Sequence, residues 1–243
     1  MDGLENKVVI VAGATSGIGA ATARRLARHG ARVVLADIAL DGAQSTAEEI
    51  ARSGGTATAI SFDVTDEPTI EALVAHALNE HGRIDGLHYN VADVALTARD
   101  TNLLDVDPAV WERMLRVNLT GFFLTIRKCL PQMLTQGEGS IVATSSAAAF
   151  SGEPTFPAYA SSKAGLNALV RHVASAYGRQ GVRCNAIAPG AIATEGALSV
   201  VEVMGVSKED WYSRVRETLA HSHRDGESAD IASMVAFLMS DDG

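Results

Sequence analysis

Short apolar runs alternate with segments of helical period along most of the chain. Lys7–Ala12 (KVVIVA) is β-branched and apolar at successive positions, which predicts a strand buried on both faces. Gly17–His29 follows as an Ala-rich helix closed by Gly30. The same alternation predicts a strand at Arg32–Ala36, a helix at Asp41–Arg52 stopped by Gly54-Gly55, and a strand at Thr56–Phe62. Glu67–His81 reads as a helix with Pro68 in its first turn, where a missing N–H costs nothing. Ile84–Asn90 is a fourth strand, less purely apolar than the first two. One long helix is expected from Pro108 to Leu134, with Asp107 as its N-cap. Ser140–Ser145, a helix at Pro157–Arg179, and Val182–Ala188 continue the pattern. It lapses into a partly helical excursion over 194–216, and Ser228–Met239 is the last helix.

Six strands, each followed by a helix, predict an α/β fold: a doubly wound, Rossmann-like parallel sheet covered on both faces. No Pro/Ser-rich linker or internal repeat divides the chain, so residues 1–243 read as a single domain.

Composition narrows the function classes. Of the 243 residues, 47% are hydrophobic and 20% charged, which excludes disorder and supplies a core that needs no disulfide or metal staple. The net charge of −9 argues against a nucleic-acid partner, since an acidic surface repels phosphate backbones. Cys129 and Cys184 are far apart in apolar stretches and read as reduced thiols of a cytoplasmic protein. MDGLENK carries no apolar targeting run, and no uncharged stretch has the length of a bilayer span.

The first strand runs through Ala12-Gly13-Ala14-Thr15-Ser16-Gly17-Ile18-Gly19 directly into a helix. Glycines allow a tight turn and a close approach to a diphosphate, and the helix N-terminus offers free N–H groups to the anion. The spacing is G-x-x-x-G-x-G, without the lysine of a nucleotide-hydrolysing P-loop. Asp37 ends the second strand, 18 residues beyond Gly19. A carboxylate there accepts from both ribose hydroxyls of an adenosine and repels a 2′-phosphate, and neither Ser16 nor Ile38 offers a cation to one. NAD is therefore the expected cofactor. Asp63, ending the third strand, is placed to address the adenine, although Asp-Val-Thr is also an ordinary helix-entry turn.

Tyr159 and Lys163 lie four residues apart in a predicted helix, so both leave the same face one turn apart. A cation beside a phenol lowers its pKa from about 10, which makes Tyr159 usable as a general acid or base. Ser145 and Ser146 end the fifth strand at the sheet's carboxyl edge, where open α/β folds bind ligands. Serine and tyrosine thus meet in one crevice.

With these motifs in order, the chain resembles the short-chain dehydrogenase/reductase family, in its compact single-domain branch. The resemblance covers essentially the whole chain. It rests on the glycine loop, Asp63-Val64, Asn118 in Arg116-Val117-Asn118-Leu119, Ser146, Tyr159, Lys163, and Pro189-Gly190 with Thr194. It implies that Ser146, 13 residues before Tyr159, polarises the substrate oxygen, with Ser145 one position off. Tyr159 would exchange the proton, and Lys163 would bond the nicotinamide ribose and depress the phenol. Asn118 would hold a water extending the proton relay. Gly13, Ser16, Gly17, Ile18, Gly19, Asp37, Asp63 and Val64 would bind the adenosine diphosphate half of the cofactor. Asn90 would approach a ribose, while Pro189, Gly190, Ile192 and Thr194 line the nicotinamide. No metal is implied. The two long helices, 108–134 and 157–179, would form a four-helix dimer interface, usually within a homotetramer.

Two departures stand out. Ala12 replaces the family's usual Thr, removing a hydroxyl that would tie the glycine loop to the loop after the fourth strand. That loop reads Tyr89-Asn90-Val91-Ala92, where the family has Asn-Asn-Ala-Gly, so an altered cofactor affinity or pocket wall is expected.

The excursion at 194–216 is expected to be a substrate lid carrying Leu198, Val200, Val201, Val203, Met204, Val206, Trp211 and Tyr212. Phe150, Phe156, Tyr89 and Val94 are expected pocket-wall residues. Together they predict a small-molecule substrate with a hydrophobic body and one secondary alcohol or ketone. His221 and His223 read as a solvated pair.

The lead reading is an NAD-dependent alcohol dehydrogenase/ketoreductase. An NADPH-linked carbonyl or 3-oxoacyl reductase and a non-catalytic nucleotide-sensing protein are the alternatives. The resemblance also implies a seventh strand after Ser228–Met239, so either the sequence given omits it, the expected case, or the sheet ends at six strands with an exposed edge.

Overall fold

The computed structural model describes the chain apart from residues 153, 204, 219–223 and 225. Six strands form one parallel sheet: β1 (Val8–Ala12), β2 (Arg32–Asp37), β3 (Thr56–Ser61), β4 (Gly86–Tyr89), β5 (Gly139–Thr144) and β6 (Val182–Ile187). Their order across the sheet is β3-β2-β1-β4-β5-β6. The chain winds outward from β1 in one direction, then returns to place β4 on its other side. The crevice at this reversal, outside the carboxyl ends of the strands, is where such a sheet admits a ligand.

Alternation explains the burial. Val9, Val11, Val33, Leu35 and Val142 face α1 (Gly17–Arg28), α2 (Leu40–Arg52) and α9 (Ser228–Met239). Val8, Ile10, Val34, Leu87, Tyr89 and Ile141 face α3 (Glu67–His81), α5 (Gly121–Gln136) and α6 (Pro157–Tyr177). All five β1 side chains are buried, and Val8, Val9, Ile10 and Val11 each contribute roughly 1.5–3 kcal/mol by leaving water. Among the described residues the sheet has six strands, with β3 and β6 at its edges.

The long helix expected at 108–134 is interrupted. α4 (Pro108–Leu115) starts at Asp107, whose carboxylate accepts from Ala109 N at 2.9 Å. A widened turn over Arg116–Thr120 then leads into α5. There the Val117 carbonyl accepts the Tyr89 hydroxyl at 2.7 Å. Asn118 turns inward, and Gly121 leaves room for Val64 and the Tyr89 hydroxyl, which a Cβ would strike. Such wider turns recur at functional sites. β4 is also shorter than expected, because Asn90 already belongs to the loop at the sheet edge. The excursion after β6 holds two helices, α7 (Glu195–Val203) and α8 (Lys208–Thr218).

The amino end of the sheet is closed by charge pairing. Asp85 is buried and accepts Val8 N at 2.8 Å, while Arg83 grips both of its oxygens at 2.6–3.0 Å. Glu138 joins Arg83 at 2.6 Å and Lys7 at 3.0 Å. No described helix is long and apolar enough to cross a membrane.

Candidate active site

A cavity of about 950 Å³ opens along the carboxyl edge of the sheet. It is lined by Gly13, Ser16, Gly17, Ile18, Asp37, Asp63, Val64, Asn90, Ser146, Tyr159, Lys163, Pro189, Gly190, Ile192 and Thr194. The sequence places these residues together, and the structure does too. Gly19 and Asn118 stand behind the wall instead.

The glycine cradle occupies one half. Gly13 has φ +82°, a backbone region that L side chains avoid, and a Cβ there would press on the Asn90 carbonyl at 3.0 Å. A Cβ on Gly19 would collide with the Gly13 carbonyl oxygen, so this glycine lets α1 close against the loop. Asp37 is fixed between the loop and α2, accepting Thr15 N and Ala39 N, each at 3.0 Å. Ile38 beside it is 67% exposed, and the described lining residues include two cations, Lys163 and Arg113. Arg113 is paired with Asp93 at 3.3 Å. A cradle without side chains, a helix N-terminus and a fixed carboxylate fit an adenosine diphosphate with free ribose hydroxyls. Asp63 has a turn-building contact as well: its Oδ1 accepts from Thr65 N and Oγ1 at 2.8 and 2.7 Å. The Thr65 backbone bond is the main reason its carboxyl sits below the usual value.

The loss of the hydroxyl at Ala12 does not separate the two loops. Asn90 N donates to Ala12 O at 2.9 Å, and Asn90 Nδ2 donates to Gly13 O at 3.1 Å. Tyr89 is not a pocket-wall residue. Period-two alternation turns it away from Asn90 into the core, against Phe122 at 5.0 Å between ring centroids.

The other half holds the reactive side chains. Ser146 ends the β5 edge, and its Oγ accepts from Ala148 N at 3.2 Å. Tyr159 and Lys163 rise from the first turns of α6. Lys163 is fully buried, with Nζ on the Thr144 carbonyl at 2.8 Å and 5.7 Å from the Tyr159 ring centroid. Desolvation lowers its ammonium to about 8. Burial raises the Tyr159 phenol above its ordinary value, and its hydrogen bond with Ser146 opposes that rise. Burial is the larger of the two influences on the phenol, and the Lys163 ammonium donates to the Thr144 carbonyl. Asn118 is buried; its Oδ1 accepts Asp93 N at 3.3 Å and its Nδ2 donates to Ser162 Oγ at 3.0 Å.

Three contributors carried no sequence signal. Asp100, buried, accepts Ala158 N at 3.2 Å and Tyr159 N at 2.7 Å, capping the free N–H groups of α6 from 58 residues away. Its own carbonyl accepts Phe156 N at 3.0 Å, and Phe156 takes a left-handed φ of +64° to enter the helix. Thr144 and Ser162 complete the set.

The substrate side is closed by Val94, Phe156, Val200, Val201, Val206 and Trp211. Phe150, expected in this wall, is 74% exposed, and Val203 is 75% exposed. Leu198 and Tyr212 do not line the cavity; Tyr212 packs edge-on against Trp211. Met204, His221 and His223 lie outside the described residues. Both cysteines are free and buried, and burial pushes each thiol up to about 12.

A family model described as "Enoyl-(Acyl carrier protein) reductase" matches residues 13–243. The chain is 38% identical over 242 residues to a probable short-chain type dehydrogenase/reductase of Bradyrhizobium diazoefficiens, covering 100% of this chain and 84% of that protein. It is 33% identical over 245 residues to a 7alpha-hydroxysteroid dehydrogenase of Bacteroides fragilis, covering 100% and 90%. The crystal structure of levodione reductase superposes with a TM-score of 0.92 at 33% identity, covering 98% of this chain and 92% of that one.

Proposed function

The chain belongs to the short-chain dehydrogenase/reductase family, an oxidoreductase family. We propose that it is an NAD-dependent dehydrogenase/ketoreductase interconverting a secondary alcohol and a ketone on a largely hydrophobic small molecule. The observation that carries this reading is one cavity in which Ser146, Tyr159 and Lys163 converge beside a glycine cradle and Asp37. A bound nicotinamide supplies the hydride chemistry.

The chain's own part is to hold an oxygen and move its proton. Ser146 and Tyr159 present two hydroxyls to the substrate oxygen. In oxidation, Tyr159 takes the alcohol proton; in reduction, it returns one to the carbonyl oxygen. Lys163 binds ribose hydroxyls and favours the phenolate when protonated. Asn118, bonded to the neighbour of Lys163, extends the proton relay. Asp37 selects NAD over NADP by accepting from the ribose hydroxyls and repelling a 2′-phosphate. Gly13, Ser16, Gly17, Ile18 and Gly19 form the diphosphate site, Asp63 and Val64 the adenine site. Asn90, Pro189, Gly190, Ile192 and Thr194 carry the nicotinamide end.

Residues 194–216 act as the lid of a single catalytic domain. An apolar wall with Arg113 already paired suits an uncharged body, in line with the hydroxysteroid named for the Bacteroides relative. Two serine and tyrosine hydroxyls aimed at one oxygen favour carbon–oxygen over carbon–carbon double-bond reduction. The exposed Phe123 on α5 supports a homodimer or homotetramer joined through the α5 and α6 faces. The two free thiols suit the cytoplasm. A panel of secondary alcohols and ketones followed by NADH absorbance tests the reading: turnover with NADH is expected, and a strong preference for NADPH overturns the cofactor assignment.

A further inference from the structure

We propose that Thr144 is a positioning residue that couples the glycine loop to Lys163, with His88 fixing the direction of its hydroxyl. The proposal rests on the dinucleotide reading of the cavity, but its evidence is a set of contacts made by this chain alone. Thr144 is the last residue of β5. Its carbonyl accepts Lys163 Nζ at 2.8 Å. Its hydroxyl lies 2.9 Å from Asn90 Oδ1 and 3.0 Å from His88 Nε2.

The directions of these bonds follow from what each atom can do. Asn90 Nδ2 donates to the Gly13 carbonyl at 3.1 Å, so its amide oxygen faces Thr144. An amide oxygen only accepts, so the single Thr144 proton points to Asn90. Toward His88 the same hydroxyl can then only accept, and Nε2 must carry the proton. The chain runs one way, from His88 through Thr144 to Asn90, and Asn90 then holds the loop at Gly13.

His88 is an odd residue for its place. It is fully buried on the face of the sheet that also carries Val11 and Val142, where an aliphatic side chain meets no polar demand. Burial holds the imidazole neutral, with its pKa near 3, and Nδ1 has no hydrogen-bond partner among the described residues. Leaving a buried nitrogen unpaired is unfavourable. The contact obtained in exchange is the Nε2–H bond that orients Thr144. One residue thereby sets two things: where Gly13 stands, through its side chain, and where the Lys163 ammonium stands, through its carbonyl.

The test is Thr144→Val, which keeps the shape and the carbonyl and removes the hydroxyl, measured on the full chain. The dissociation constant of NADH, read by fluorescence without substrate, is expected to rise about tenfold, the net effect of one lost hydrogen bond. Thr144→Ser is expected to restore it, and kcat at saturating NADH is expected to fall far less than affinity. His88→Leu is expected to weaken binding by about threefold, since Thr144 can still donate to Asn90. Amide exchange across 12–19 in the free protein is expected to quicken in Thr144→Val. If Thr144→Val does not fold, Thr144→Ala carries the same expectations. Wild-type affinity with unchanged exchange overturns the proposal, as does failure of Ser to rescue. A wild-type protein that binds neither NADH nor NADPH overturns the dinucleotide reading instead, and the exchange measurement then decides the loop coupling by itself.

Discussion

The two ends of the sheet are built from similar residue types to opposite effect. At the amino end, Asp85, Arg83, Lys7 and Glu138 neutralise one another, and the buried carboxylate also takes the Val8 N–H. At the carboxyl end, the buried cation Lys163 has no carboxylate partner among the described residues, only the Thr144 carbonyl. Ser145, whose Oγ is buried without a hydrogen-bond partner among the described residues, lines the cavity there. The amino end uses charge to close the fold. The carboxyl end keeps polar capacity unfulfilled in a cavity, which is the signature of a site that binds and reacts.

The sharpest way to break that contrast is Tyr159→Phe. Removing one hydroxyl from the carboxyl end is expected to lower kcat by about 10²–10⁴-fold, with thermal stability nearly unchanged; steady-state rates and a melting curve check it. Full activity in this variant contradicts the assignment.

Lys163→Met tests whether the buried ammonium is a burden on the fold. Lys163 titrates near 8 in the folded protein, against about 10.4 when unperturbed. Below pH 8 both folded and unfolded chains carry the proton, and the fold bears the full penalty, roughly 3 kcal/mol. Between 8 and 10.4 the unfolded chain binds more protons, so wild-type stability from this group rises with pH. Lys163→Met is therefore expected to be inactive yet more stable at pH 7, with its advantage fading toward pH 10. Chemical denaturation at both pH values measures this.

Asp85→Asn perturbs the other end. It weakens the grip of Arg83 and Lys7 and is expected to cost about 1–3 kcal/mol of stability, leaving kcat unchanged. A large fall in kcat would erase the distinction between the ends.

The smallest expected effect is at Asp100. Asp100→Ala uncaps α6 beneath Tyr159 and is expected to cost about 1 kcal/mol, with a several-fold fall in kcat and little change in NADH affinity. Denaturation and a kcat-against-KM split test it.

Much of this was legible in the sequence. A parallel sheet covered on both faces writes its strands as plain apolar runs, so all six were evident in order, as were the loop from Gly13 to Gly19 and the Tyr159–Lys163 spacing. The residues misplaced were those whose direction depends on neighbours distant in sequence. Tyr89 follows the alternation of β4 into the core rather than into the cavity. Phe150 turns outward after the short helical turn at Ala147–Ala149. The widened turn at Asn118 leaves the helical period almost intact, so nothing local announced it. Asp100 lies 59 residues from the Tyr159 amide it caps, and only the folded chain brings the two together.

The central claim is that the carboxyl edge performs NAD-dependent oxidoreduction of a secondary alcohol or ketone. Its most direct test is the rate of NADH formation or consumption by the wild-type chain across uncharged secondary alcohols and ketones, repeated with the 2′-phosphorylated cofactor. The account predicts turnover with at least one apolar substrate and a kcat/KM that favours NAD. No turnover with either cofactor, or a preference for the phosphorylated one, would contradict it.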